Sequence, residues 1–118
     1  QTRLTDVTGG QTCALPIYDE SAKWFRKAAD QGDAYSQMKL GTCYCQGQGV
    51  PQSYADAAVW LRKASTQGDG GASHLLGTLY AEGLGVTKDR LEASKLYGLA
   101  VAQGCGEALE SLRKLGET

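Results

Sequence analysis

The chain has one histidine, one methionine, one phenylalanine and two prolines in 118 residues, and what is scarce here closes off several functions. With His74 as the only histidine, neither a metal cluster nor a triad with a second histidine is expected, so no metal and no cofactor is expected. Apolar runs are short as well, none approaching the roughly eighteen residues that span a bilayer, which argues against membrane insertion. A one-signed charge field is missing too: 12 basic and 13 acidic residues are interspersed along the chain, leaving a net charge of -1. Such a balance gives nothing to draw in nucleic acid or an anionic membrane. The length suits one domain.

Glycine is what the chain has in excess, with 16 copies. Because glycine carries an entropic penalty in regular structure, it is expected where the backbone needs it. Gly32, Gly68 and Gly104 are spaced by 36 residues, as are the pairs Gly47/Gly49 and Gly83/Gly85. Laying residues 33–68 over 69–104 gives 12 identities in 36 positions, against roughly two or three for unrelated sequences of average composition. The segment YDESAKWFRKAADQG lies over YADAAVWLRKASTQG with 8 identities in 15, including Trp24/Trp60, Arg26/Arg62 and Lys27/Lys63. The chain therefore reads as a half repeat (18–32), two full repeats (33–68 and 69–104) and a terminal helix (105–118).

Within each unit the apolar spacing is helical. Ala72, Leu76, Leu79, Tyr80 and Gly83 recur at i, i+4, i+7, i+8 and i+11, and Ala57, Trp60, Leu61 and Ala64 at i, i+3, i+4 and i+7. Each unit is thus a helix pair, A then B. Asp33 and Asp69 follow a helix-ending glycine and can cap helix A, and Ser53 with Asp56 and Asp89 with Glu92 resemble capping boxes for helix B. Gly41 and Gly77 fall inside helix A at about 1 kcal/mol each relative to alanine. Close approach of helix B, through Ala57 or Ala93, is the expected compensation.

The stretches LGTCYCQGQGVPQSYADAAVWLRKASTQGD and LGTLYAEGLGVTKDRLEASKLYGLAVAQG resemble Sel1-like repeats, a tetratricopeptide-related family whose unit reads roughly A-x-x-x-L-G-x-x-Y-x-x-G-x-G-V followed by A-x-x-W-Y-x-K-A-A-x-x-G. The resemblance covers residues 18–118. Leu96 and Gly98 depart from it in the third unit, and Arg113 and Gly116 in the last, which reads as a degenerate cap. It implies an all-α fold, an α/α solenoid of antiparallel helix pairs in a right-handed superhelix. It also implies a concave groove lined by the A helices, and a non-enzymatic scaffold or adaptor role with a protein or peptide partner. Tyr35, Met38, Thr42, His74 and Thr78 are the candidate groove residues, placed opposite the core stripe of helix A, with Tyr35, Met38 and His74 differing between units. Two other readings stay open: β-lactam or cell-wall compound binding or hydrolysis, as proposed for a secreted cysteine-rich branch, and spacer repeats within a longer multidomain protein.

Other motifs read as structural. GQGVPQS and GLGVTKD lack the third glycine and preceding strand of a phosphate loop and read as turns with Val50 and Val86 tucked inward. Ser36-x-x-Lys39 and Ser111-x-x-Lys114 match a nucleophile pattern of two fixed positions without its companion elements. Cys43 and Cys45 are about 200° apart on one helix, so they cannot bridge each other. The regular pairing of the cysteine-rich branch is absent, which mildly favours a reducing compartment.

The segment VTGGQTCALPI, Val7 to Ile17, shares no residue with Cys43 to Ser53, its counterpart one period on, whereas Tyr18 matches Tyr54. It resembles the translation of a common short-read sequencing adapter, V-T-G-V-Q-T-C-A-L-P-I, with only Gly10 departing. Residues 1–17 are accordingly expected to be non-native or disordered and the remainder to be the C-terminal part of a longer repeat protein. Trp24 and Phe25 are then expected to be under-covered.

Overall fold

The computed structural model describes the backbone of residues 15–117 and the side chains of residues 20–117. The described residues form six helices and no strand: α1 Leu15–Asp30, α2 Ala34–Gln46, α3 Tyr54–Thr66, α4 Gly70–Glu82, α5 Arg90–Ala102 and α6 Glu107–Gly116. The helices α2, α4 and α6 are of type A, and α1, α3 and α5 of type B. The expectation for residues 1–17 falls mostly outside the described residues. Helix α1, however, starts at Leu15 rather than Tyr18. Ile17 stands in the register of Ser53 and Asp89 but has no oxygen with which to cap. Pro16 is compatible with continuing the helix upstream, because a first-turn residue needs no N–H donor.

The boundaries follow from caps. Asp33 and Asp69 accept from the backbone N–H groups of Ser36 and Ala72, each at 2.9 Å, and open α2 and α4. The preceding glycines, Gly32 and Gly68, take φ of +95° and +101°, left-handed values that a side chain would resist. Gly83 proves to be the left-handed C-cap of α4 rather than its last core position. At the start of helix B only half of the anticipated capping box forms. The Ser53 and Asp89 side chains cap α3 and α5. Their own N–H groups instead donate to the Tyr44 and Tyr80 carbonyls at 2.9 and 3.0 Å. The N-terminus of each B helix thereby satisfies an orphan carbonyl at the end of its A helix.

Helices A and B meet at the glycines. A Cβ on Gly41 would stand 2.7 Å from Leu61 Cγ, and one on Gly77 would stand 2.8 Å from the Tyr97 ring, with the Ala57 and Ala93 carbonyls next to them at 3.4 Å. The close approach expected from sequence is present in both units. Around it the buried cores are rich in alanine. Ala57, Leu61, Ala64, Ala72, Leu76 and Leu79 join Leu96 in one cluster, and Ala93, Tyr97, Ala100 and Ala108 form the next. Val86 is half-buried against the first cluster, as anticipated.

Polar contacts with the same period tie the units together. Gln67 Nε2 donates to the Gln37 Oε1 atom at 2.8 Å and to the Gly32 carbonyl at 2.9 Å. One unit on, Gln103 accepts from Ser73 at 2.6 Å and donates to the Ser65 carbonyl at 3.2 Å. On another side, Arg26 donates to the Tyr44 hydroxyl and Arg62 to the Tyr80 hydroxyl at 3.2 and 2.9 Å. Both members of that pair disappear together in the next register, where Gly98 and Gly116 stand.

The backbones of successive A helices approach one another, α2 to α4 and α4 to α6, whereas successive B helices meet only through long side chains, Arg26 with Trp60 and Arg62 with Glu92. The stack therefore bends toward the A side, which is the inside of the curve. The molecule measures 51 × 32 × 24 Å, and its radius of gyration of 15.9 Å exceeds the roughly 13.5 Å of a compact domain of this length.

The glycine contact is testable by a paired substitution. Gly77→Ala gains about 1 kcal/mol of helix propensity but forces a methyl into the buried Tyr97 ring, and overpacking of this kind costs about 1–3 kcal/mol. It is expected to lower urea-unfolding stability. Gly98→Ala, in α5 with nothing within 4 Å of the added methyl, is expected to raise stability by about 0.5–1 kcal/mol. The reverse order would refute the close-packing account. The Asp33 cap gives a pH test. The Ser36 hydroxyl and N–H hold the Asp33 carboxyl below the usual carboxylate range. The folded state thus binds this proton less tightly than the unfolded state does. The resulting stabilisation is present above the unfolded-state value and is lost as pH falls through the folded-state value. Asp33→Asn, which keeps a capping oxygen, should flatten the acid limb of the stability–pH curve; an unchanged limb would exclude this group as a contributor.

Candidate functional site

The five residues expected along the groove lie on α2 and α4, but only Tyr35 is freely exposed, at 57% of its surface. The Lys39 ammonium lies 5.4 Å from its ring centroid, so the two long side chains present one cationic-aromatic patch. Met38 is half-buried and packs on the core cluster instead of pointing away from it. Thr42 donates back to the Met38 carbonyl at 3.1 Å, and Thr78 to the His74 carbonyl at 3.2 Å. Both hydroxyls are therefore spent partly on their own helix. Thr78 also stands 3.0 Å from the Tyr97 hydroxyl. Tyr35, Met38 and Thr42 thus share α2, while His74 and Thr78 are drawn into the seam that α4 makes with α5 and α6.

His74 corrects the sequence reading most. Its variability between units suggested an exposed side chain, yet it is half-buried. Its Nε2 atom lies 2.8 Å from Ser111 Oγ on α6, and its ring meets Tyr97 edge-on with centroids 5.6 Å apart. On the other side of the ring, Nδ1 lies 3.9 Å from Cys105 Sγ. The donor atoms of His74, Cys105 and Glu107 all fall within 4.8 Å of one another. A metal cluster was not expected because histidines were counted along the chain. The structure instead gathers one histidine, one thiol and one carboxylate from residues separated by about thirty positions. As a hydrolytic triad this group is incomplete. No hydrogen bond joins Glu107 to His74 among the described residues, so the carboxylate does not orient the imidazole for Ser111.

Next to this cluster, a cleft of about 480 Å³ is lined by Thr78, Tyr97, Ser111, Lys88, Arg90 and Lys114, with Glu82 as its one carboxylate. Arg90 is already turned onto the Leu115 carbonyl. Lys88 and Lys114 leave the cleft with a cationic rim that no sequence motif marked.

The motifs read as structural behave so. The Ser36 hydroxyl donates to Asp33 at 2.5 Å within the helix cap, and Lys39 lies over Tyr35. The first two N–H groups of each glycine loop are likewise committed. Gly47 and Gln48 donate to the Cys43 carbonyl, and Gly83 and Leu84 to that of Leu79. They form a helix terminus of the left-handed type and not an anion cradle. Cys43, Cys45 and Cys105 are free. Burial pushes the Cys43 thiol up, against a smaller opposing pull from Lys39, and burial also raises Cys45. Both are poor nucleophiles in that state.

Trp24 is 67% exposed. Among the described residues Lys27 lies over it, whereas Trp60 sits between Arg26 and Lys63. The expectation of an under-covered face holds for Trp24, and Phe25 is half-buried. Among the described residues, no helix is long and apolar enough to cross a membrane.

Three comparisons place these features among known proteins. A family model for the Sel1 repeat matches residues 18–33, 34–69 and 71–105. No curated protein matches the chain. Among solved structures, a Sel1 repeat protein from Oxalobacter formigenes is similar, with 34% identity and a TM-score of 0.75 over 80% of this chain and 39% of that one. A second is c5321, described as a protective antigen present in uropathogenic Escherichia coli strains and displaying an SLR fold. It shows 32% identity and a TM-score of 0.85 over 90% of this chain and 23% of its own. The chain spans well under half the length of either.

Proposed function

Because the chain belongs to the Sel1 repeat family, we propose that it is a non-enzymatic interaction module that holds a protein or peptide partner on its A-helix face. One observation carries this reading: the residues that repeat are largely consumed by the solenoid, and a few that differ and stay at the surface are left over. Gly41/Gly77, Ala57/Ala93, Arg26/Arg62 with Tyr44/Tyr80, and Gln67/Gln103 each serve a contact within or between units. Tyr35 with Lys39, and the cationic cleft edged by Lys88 and Lys114, serve none of these contacts. They lie on or beside the A helices, on the inside of the curve. A curved stack with a fixed frame and free inner side chains is how solenoids present an extended binding surface.

The chemistry of that surface favours an extended segment carrying aromatic or apolar groups for Tyr35 and at least one carboxylate for the cleft. Rim charges of this kind act mostly on association rate and choice of partner. Catalysis by His74 and Ser111 on the same face would need a carboxylate to orient the imidazole, and among the described residues Glu107 makes no such hydrogen bond.

Affinity purification with matched surface variants tests the proposal. A partner recovered by the unaltered chain should be lost with Tyr35→Ala combined with Lys88→Glu and Lys114→Glu. It should be retained with Val59→Glu combined with Trp24→Ala on the B helices. Loss through the B-helix variant alone would overturn the A-face assignment.

A further inference from the structure

We propose that His74, Cys105 and Glu107 bind one divalent metal ion of the zinc class, with a fourth position open to water. The inference is independent of the partner-binding reading. It starts from a break in the repeat. Cys105 occupies the register in which Asp33 and Asp69 cap the preceding A helices, and α6 begins one position later, at Glu107, with Gly106 at its N-cap and no side-chain cap at all. Exchanging a capping carboxylate for a thiol costs about 0.5–2 kcal/mol of helix stability. A position that abandons a local structural rule is a place to look for a role.

The backbone holds the thiol in place despite the lost cap. The Cys105 N–H donates to the Ala100 carbonyl at 2.8 Å, and its own carbonyl accepts from Ala108 at 3.2 Å. Gly70 makes room for it: a Cβ there would stand 3.1 Å from Cys105 Cβ, and the preceding unit carries Ala34 instead. The imidazole is held equally well. Ser111 engages Nε2 at 2.8 Å and Tyr97 meets the ring edge-on, so with the proton on Nε2 the Nδ1 lone pair faces the thiol. Ser111 stands where ligand histidines ordinarily have a carboxylate, carbonyl or water as outer-shell partner.

The spacing fits the ion. For tetrahedral zinc with Zn–S and Zn–N bonds of about 2.3 and 2.05 Å, sulfur and nitrogen lie about 3.6 Å apart. Cys105 Sγ and His74 Nδ1 are 3.9 Å apart, so a shift of a few tenths of an ångström brings this pair to bonding distance, and the Glu107 oxygen, within 4.8 Å of both, closes the site by a rotation of its exposed side chain. Glu107, exposed on the first turn of α6, supplies the carboxylate oxygen from the solvent side and leaves a path for entry. A nitrogen, a sulfur and an oxygen suit a borderline ion better than calcium or magnesium. Binding forms the metal–sulfur bond as the thiol proton leaves to solvent, with no change of oxidation state.

Cobalt(II) added to the reduced chain tests this. The chain used carries Cys13→Ser, Cys43→Leu and Cys45→Ala, the last two being the residues of the following unit. One cobalt per chain is expected, with a near-ultraviolet thiolate-to-cobalt charge-transfer band that zinc abolishes by displacement. Cys105→Asp restores the capping residue of the other units and should fold with undiminished helical dichroism, yet lose the band. His74→Ala and Glu107→Gln should each weaken zinc by at least about tenfold in calorimetry, and Ser111→Ala by about tenfold, the size of an outer-shell effect. Absence of the band, its survival in Cys105→Asp, or unchanged zinc affinity in His74→Ala would overturn the site.

Discussion

The fold depends on how closely an A helix can lie on its B helix. Gly41 and Gly77 remove the one methyl that would hold the helices apart, and Leu61 and Tyr97 fill the space that results. The interior can then be built from alanine. With so little side-chain volume available, stability must come from many short-range contacts between closely spaced backbones, because dispersion falls off steeply with even a small gap. This explains why two glycines persist inside helices that would form more readily without them. It also accounts for the loop glycine Gly85, with φ of +73°, whose missing Cβ lets the next unit's loop press on the Tyr54 backbone at the start of α3.

Adjacent units are joined by different chemistry. Gln67 and Gln103, at the ends of α3 and α5, make partly exposed hydrogen bonds to the A helix of their own unit, at Gln37 and Ser73, and to the end of the preceding B helix, at Gly32 and Ser65. Each donates to a carbonyl at the end of the preceding B helix, Gly32 or Ser65, so the ladder supplies both cohesion and register. The arginine–tyrosine pairs and the exposed Arg62–Glu92 ion pair at 3.6 Å add less. Because every such contact is between neighbours, stability is distributed as a sum of unit and interface terms. The inner face is therefore free to vary without loss of the frame.

What was legible in the sequence was whatever repeats. The 36-residue period, the Asp33 and Asp69 caps, the helix pairs and the Gly41 and Gly77 contacts all recur, and each has a local cause that a few neighbouring residues reveal. The ladder was less legible: Gln67 and Gln103 do repeat, but their partners, Gln37 and Ser73, differ in type. Least legible was the surface. Met38 and His74 share a register, yet one packs on the core and the other reaches α6, because the element opposite each is different. Cys105 and Glu107 lie about thirty residues from His74, and only the turn after α5 brings them together. The substitution of Cys105 for a capping aspartate was visible in the repeat alignment, and it is the signal that could have pointed there.

The most direct test of the close-packing claim is a double-mutant cycle between Gly77→Ala and Tyr97→Val, read by chemical denaturation with helical dichroism confirming the fold. If helix contact at this point sets the structure, the alanine that destabilises the chain beside tyrosine becomes neutral or stabilising beside valine. The coupling should then be about 1 kcal/mol or more, within the range seen for residues in contact. Additive effects of the two substitutions would contradict the account.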